Sequence, residues 1–360
     1  MTTEPVTLKD LRVLLVTGLT PNQFGAYRLG ALQRLDLEHV AVLDRNQYGT
    51  PGLLGKVEFR LQMGPQVARF NRDLLRLAQR ERINVAILDK VLSLQPETLR
   101  RLRAMGVFCV DFVIDNPFGP RRDPGWRLYR KTIAGYDLTA VQRDVNLEDY
   151  SRAGAIDVVR TQTSFERTVH FPPPEGWTDA LRDRPVSFIG TPYDNRAEFL
   201  TKLWRAGVPV VISGSRPHWE AALQADAFAG AFREGELIGD AYHQGLWRSR
   251  INLAFVTRSN SDQVAQKAFE ITACGGFLLA ERSDEHRALF REDEEAVFFA
   301  SFEECREKID RYLNDEPARA RIARAGQERA WRSGYDNDAV MGRLLTQAAE
   351  RMTRRSECAR

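Results

Sequence analysis

Short apolar runs alternate with amphipathic segments along nearly the whole chain of 360 residues, and this rhythm limits its possible folds more than any other property. Leu11 to Val16, Val40 to Leu43, Val85 to Leu88, Val107 to Ile114 and Leu138 to Val141 have the length and composition of buried strands. Between or after them, Gly25 to Leu35, Val67 to Arg82, Pro96 to Met105, Trp126 to Ala134 and Val145 to Ala153 read as helices. Neighbouring parallel strands need a crossover, usually helical, so the alternation predicts a parallel, doubly wound sheet. It breaks at Phe171 to Trp177, FPPPEGW, because consecutive prolines favour polyproline II and cannot continue a sheet. A second series follows, with strands at Val186 to Gly190, Val208 to Ile212 and Ile251 to Val256 and helices near Arg196 to Ala206, His218 to Gln224 and Ala241 to Arg248. A strand at Ala296 to Phe299, a helix at Phe302 to Leu313 capped by Ser301, another after Pro317 and a last one at Asp338 to Met352 complete it. The expectation is two α/β domains, residues 1–170 and 171–336, and a terminal segment at 337–360.

Composition removes several function classes. A hydrophobic share of 43% supplies two cores, and a formal net charge of +3 is too balanced to argue for nucleic acid or an anionic membrane on charge alone. The start, MTTEPVTLKD, has no apolar leader, and no run approaches the length of a transmembrane helix. A soluble cytoplasmic protein is expected. Cys109, Cys274, Cys305 and Cys358 lack ligand spacing, which suits a reducing compartment, and His39, His170, His218, His243 and His286 lack metal spacing. The loop after the first strand, Thr17 to Gly25, is not a G-x-G-x-x-G fingerprint, so a dehydrogenase is disfavoured even though Asp44 ends the second strand.

Chemistry-bearing residues concentrate in Asp262 to Phe290. Val264, Ala268 and Ile271 recur at the spacing that buries one helix face, and Gln263, Lys267 and Glu270 fall together on a flank. Gly275 supplies the left-handed residue that ends the helix before the strand Phe277-Leu278-Leu279. A helix start with Lys267 one turn in attracts a phosphate, and the Glu270 carboxylate can accept from a vicinal diol such as ribose. The same two residues would equally make a surface ion pair worth a few tenths of a kcal/mol. Loops that follow strands are the other candidates, since ligands of open α/β sheets lie outside the carboxyl ends. They hold Gly190 to Arg196 (GTPYDNR), Arg258, and Trp219, which either stacks on a base or fills the core. In the first domain Asp115-Asn116-Pro117 is either an acceptor contact or turn chemistry. Arg121, Arg122, Arg127, Arg130 and Lys131 are either a patch for an acidic acceptor or a solvated face.

The run KAFEITACGGFLL, followed by EH, LF and EEAVFF, resembles the C-terminal domain of the CgeB-like (spore-maturation-type) glycosyltransferases, a group similar to the large retaining glycosyltransferases of GT-B fold. The resemblance organises about the whole chain, with its specific motifs in residues 186–300. It implies two Rossmann-like domains facing a cleft, the first on the acceptor side and the second for the nucleotide-sugar donor, with the C-terminal helix crossing back to the first. Glu270 stands where relatives bind the donor ribose, and Gly190, Arg258, Asp262 and Gly275 fall in the donor region. Asp262 is a shorter acid where many retaining relatives carry Glu, and Lys267 replaces a frequent Arg, keeping the charge without the fork. Arg196 matches the basic residue that meets the diphosphate. Gly18, in the first loop, Asp115 and His286 are implied to line the cleft.

The implied function is transfer of a sugar from a nucleoside-diphosphate sugar, a UDP-sugar first, to an acceptor that the sequence does not identify. Glycosyl phosphate cleavage builds negative charge on the departing diphosphate, which Lys267, Arg196 and the helix start would stabilise. The resemblance implies retention of configuration, with a phosphate oxygen taking the acceptor proton, and no metal or cofactor. A sugar-nucleotide epimerase of the same fold, a non-catalytic sugar-nucleotide binder and a two-lobed solute-binding protein are the competing readings. Oligomeric state is not legible.

Overall fold

The computed structural model describes residues 5–119 and 124–358, so Arg121 and Arg122 of the basic cluster lie outside the described residues. Two compact units divide the chain, Met1–Gln162 with Asn337–Arg360, and Thr163–Asp336. The boundary falls ahead of the prolines because Phe165 is already fully buried among second-unit residues such as Phe269 and Tyr335.

In the first unit β1 (Arg12–Thr17), α1 (Phe24–Arg34), β2 (His39–Asp44), α2 (Gly52–Leu61), α3 (Pro65–Arg80), β3 (Val85–Asp89), α4 (Pro96–Ala104) and β4 (Phe108–Val113) follow one another. They continue through α5 (Trp126–Tyr129), β5 (Leu138–Val141), α6 (Asp144–Arg152) and β6 (Val158–Arg160). All pairings are parallel, in the order β2-β1-β3-β4-β5-β6. The order reverses between β1 and β3, and a buried polar knot marks that point. Asp89 accepts from Thr17 Oγ1 and from Arg28 Nη1, both at 2.6 Å, while the guanidinium lies 4.6 Å from the Phe112 ring centroid.

The second unit runs through β7 (Arg184–Ile189), α7 (Arg196–Arg205), β8 (Val210–Ser213), α8 (Arg216–Ala222), α9 (Ala225–Ala231), β9 (Phe232–Glu234), α10 (Asp240–Trp247) and β10 (Ser249–Ala254). Then come α11 (Gln266–Ala273), β11 (Leu278–Glu281), α12 (Asp284–Leu289), β12 (Val297–Phe299), α13 (Phe302–Leu313) and α14 (Glu316–Arg332). Its sheet, also parallel, is ordered β12-β11-β10-β7-β8-β9. The chain enters at the centre, winds out to one edge and returns to β10, so the switch point lies between β7 and β10. This is the place where open α/β sheets bind ligands. The last helix, α15 (Asn337–Cys358), belongs to the first unit, where Val340, Met341, Leu344, Leu345 and Ala348 are buried against residues of β1, β3 and β4.

Most expected elements recur within two residues at each end. The helix expected over Trp126 to Ala134 stops at Tyr129 and is followed by a turn and a 3-10 turn at Ile133–Gly135. The helix expected from the Asp262 loop begins only at Gln266, which leaves Gln263 and Val264 outside it. α2, β6, α9, β9 and α12 were not foreseen.

Candidate functional site

Between the carboxyl ends of β7 and β10 the second unit assembles four polar side chains from two helices. Lys267 is the second residue of α11, nearer the helix start than one turn, and its alkyl chain crosses Gly190, where an added Cβ would lie 3.1 Å from Lys267 Cε. Its ammonium donates to Tyr242 Oη of α10 at 2.9 Å and lies 4.7 Å from that ring's centroid. The Tyr242 hydroxyl in turn donates to Glu270 Oε2, which is 3.8 Å from Lys267 Nζ. Gln266 Nε2 bridges Ser164 O at 2.6 Å and Glu270 Oε1 at 3.2 Å.

The surface-pair reading of Lys267 and Glu270 is therefore corrected, because the Glu270 side chain is only 10% exposed and that of Lys267 26%. Burial lowers the Lys267 pKa, with Arg196 acting the same way and Glu270 opposing. Burial raises the Glu270 pKa, but Lys267, His170, Tyr242 and Gln266 outweigh it and hold the carboxyl below its ordinary value. The site thus presents a partly desolvated cation beside an ionised carboxylate. A carboxylate has about four lone-pair positions, so Glu270 keeps acceptor capacity for a further hydroxyl beyond the bonds from Tyr242 and Gln266.

Arg196 stands at the start of α7 and is buried. Nη2 donates to Phe255 O at 3.2 Å and Thr257 Oγ1 at 2.8 Å, and Nη1 donates to Thr191 O at 3.3 Å. Most of its donors therefore bind the loops after β7 and β10 together, and only Nε, among the described residues, has no partner. Burial lowers its pKa against the fields of Asp194, Asp262 and Glu281. Arg258 is exposed and pairs with Glu281, and its N–H binds Asp194 Oδ2 at 2.8 Å. Asp262 lies in the same loop, its N–H donating to Thr257 O and its carboxylate accepting from Asn260 Nδ2.

Three further candidates are placed by their neighbours. Gly275, with φ +67°, ends α11 about 12 Å of helix away from Lys267, and a Cβ there would touch Gln327, Pro173 and Pro172. Trp219 is fully buried and donates to Gly190 O at 2.8 Å, so it fills the core and shapes the loop after β7. His286, expected at the cleft, is fully buried beneath Phe298. Its Nδ1 is bonded to Glu281 O at 2.8 Å, and Nε2 accepts the Ala265 N–H at 3.0 Å, fixing the residue that precedes α11. Burial pushes its pKa down from 6.5 to about 4. Unfolded chains take up the proton that the native state refuses, so stability is full above pH 6.5 and falls by about 3 kcal/mol as pH drops toward 4. Urea unfolding at several pH values should show His286→Gln losing less stability than the parent between about pH 7 and pH 4, by about that amount; equal losses would contradict the assignment.

In the first unit Gly18 closes β1 beside Asn46, and Asp115, after β4, pairs with Lys90. Tyr242 and His170 are the site residues that the sequence did not signal. His170 is buried, lies edge-on to Tyr242 at 5.6 Å, and has its pKa lowered by burial. One Asp-x-Asp triplet occurs at Asp336-Asn337-Asp338, and Arg34 holds the Asp338 carboxylate at 2.5–3.0 Å.

The two parallel-sheet units and the return of α15 to the first define a GT-B-type α/β fold. Solved structures agree: sucrose-phosphate synthase from Thermosynechococcus elongatus superposes with a TM-score of 0.67 at 14% identity, over 93% of this chain and 98% of that one. Anabaena Alr3699/HepE in complex with UDP-glucose gives 0.62 at 11%, over 97% and 100%. The α,α-trehalose 6-phosphate synthase of Burkholderia multivorans gives 0.61 at 13%, over 98% and 99%. Residues 195–346, which include Arg196, Lys267 and Glu270, match the family model described as glycosyl transferase-like. No curated protein matches the chain. Among the described residues no helix is long and apolar enough to cross a membrane.

Proposed function

We propose that this chain is a glycosyltransferase that uses a nucleoside-diphosphate sugar, a UDP-sugar first, with retention of configuration and without a metal ion, of the CgeB-like type. The observation that carries the reading is the Lys267–Tyr242–Glu270 constellation at the switch point of the second sheet. Glu270 is suited to the ribose diol, and Lys267 beside the start of α11 to the diphosphate. Charge growing on the leaving diphosphate would meet a cation already oriented by Tyr242, so little reorganisation accompanies bond cleavage. A UDP-glucose complex of a protein with the same fold adds support for the donor class.

Thermal stabilisation by UDP, GDP, dTDP, ADP and CMP in the presence of EDTA tests the donor, because ligands that bind only the folded state raise the midpoint. A selective shift with UDP is expected, and no shift with any of the five would overturn the reading. Glu270→Ala should weaken UDP binding by about 1.5–3 kcal/mol, the worth of hydrogen bonds to a charged group. Calorimetric titration of both proteins reads this, with circular dichroism checking that the variant is folded. Unchanged UDP affinity in a folded variant would remove Glu270 from the donor site.

A further inference from the structure

α2 is built inside out. At about 100° per residue, Leu53, Leu54, Val57 and Leu61 share one arc of about 100°, the pattern that ordinarily faces a core. Here that arc faces water: Leu53 is 77% exposed, Leu54 74% and Leu61 57%. Of thirteen large exposed hydrophobic residues identified in the described chain, six fall in the eleven positions from Leu53 to Met63. This is a concentrated patch rather than scatter, and such patches mark interaction sites.

The polar side of α2 is what holds it to the protein. Gly55 sits so tightly on Thr50 that an added Cβ would lie 1.7 Å from its carbonyl oxygen. Glu58 accepts from Thr50 Oγ1 at 2.5 Å and from the Gln66 N–H at 2.8 Å at the start of α3, and Gln62, which ends the helix, is buried. The helix therefore cannot bury its leucines by rolling over without giving up these contacts.

The charge around the patch is mainly positive. Lys56 and Arg60 lie on the edge of the apolar arc, and Arg69, Arg72 and Arg76 project from α3. Over residues 52–76 these five cations face only Glu58 and Asp73, a surplus of three that equals the formal net charge of the whole chain. Glu58 is turned inward and Asp73 is already within ion-pair distance of Arg69 and Arg72. An apolar stripe edged by long cationic side chains is the chemistry of a helix lying in the interface of an anionic lipid bilayer. A second protein surface would need acidic and apolar groups in matching register. A lipid surface needs only negative headgroups over hydrocarbon.

We propose that α2 and the basic face of α3 dock the first unit on an anionic lipid surface, with Leu53, Leu54, Val57 and Leu61 in the acyl boundary and Lys56 and Arg60 at the headgroups. The test is co-sedimentation of the full chain with vesicles of phosphatidylcholine and phosphatidylglycerol in equal parts, against phosphatidylcholine alone. Binding to the mixed vesicles that weakens with added sodium chloride is expected. Lys56→Gln/Arg60→Gln should lower the partition coefficient about 25-fold, about fivefold for each cation lost. Leu53→Ser/Leu61→Ser should lower it about tenfold or more, and neither pair touches Gly55, Glu58 or Gln62. Failure to bind either vesicle, or equal binding to both, would overturn the proposal. So would a Leu53→Ser/Leu61→Ser protein that changes from dimer to monomer in sedimentation velocity, which would assign the patch to a second copy.

Discussion

Lys267→Met is expected to lower sugar transfer about 100- to 1,000-fold, the usual loss when one preorganised partner of a developing oxyanion is removed. UDP affinity should fall far less. On the proposed function, the diphosphate in the ground state would also have the N–H groups at the start of α11, whereas in the transition state its added charge would fall on a cation that Tyr242 already holds at 2.9 Å. Lys267→Arg keeps the charge and should recover much of the loss. Steady-state rates paired with UDP titrations separate the outcomes. Equal losses in turnover and affinity would reduce Lys267 to ground-state binding. Melting of the variant at lower temperature with unchanged turnover would make it a structural partner of Glu270.

Asp89→Ala should destabilise the first unit by about 3–5 kcal/mol, the cost of removing one partner of a buried pair. Both side chains of the Arg28–Asp89 bridge are 6% exposed, so the orphaned guanidinium has no water to turn to. Thr17 Oγ1 would lose its acceptor as well. Arg28→Met/Asp89→Ala should return most of the stability, since an apolar replacement of a whole buried pair is often neutral or favourable. Urea unfolding of the single and double variants decides it. A single variant within 1 kcal/mol of the parent would mean that the pair is held open to solvent.

Local chemistry made much of the fold readable from the chain alone. α13 spans the residues expected of it because Ser301 caps it, and Leu138–Val141 is bounded by polar neighbours on both sides. α2 escaped because its turn-rich start, Gly49-Thr50-Pro51-Gly52, reads as loop and its leucines stabilise no core. α11 begins later than the spacing of Gln263 and Val264 predicts, and a long-range bond to His286 fixes Ala265, the residue just before it. No periodic signal announces such a contact across twenty-one residues. For the site, three-residue spacing put Lys267 and Glu270 on one flank, but whether that flank was wet or buried depended on Tyr242, which comes from another helix. Arg196 shows the opposite gap: its charge suggested a ligand, while three-dimensional neighbours give most of its donors to backbone and hydroxyl oxygens.

The return of α15 to the first unit affects the order of folding during synthesis. β1, β3 and β4 leave the ribosome early, but the face they turn toward Met341, Leu344 and Leu345 stays uncovered until the last helix has been made. The intervening second unit, residues 163–336, takes about 9–35 s to translate at about 5–20 residues per second. The second unit is a single contiguous stretch of chain, so it can close its core first although it begins later. The N-terminal half waits in a partly covered state, exposed to chaperones and proteases for longer than its position in the chain would suggest.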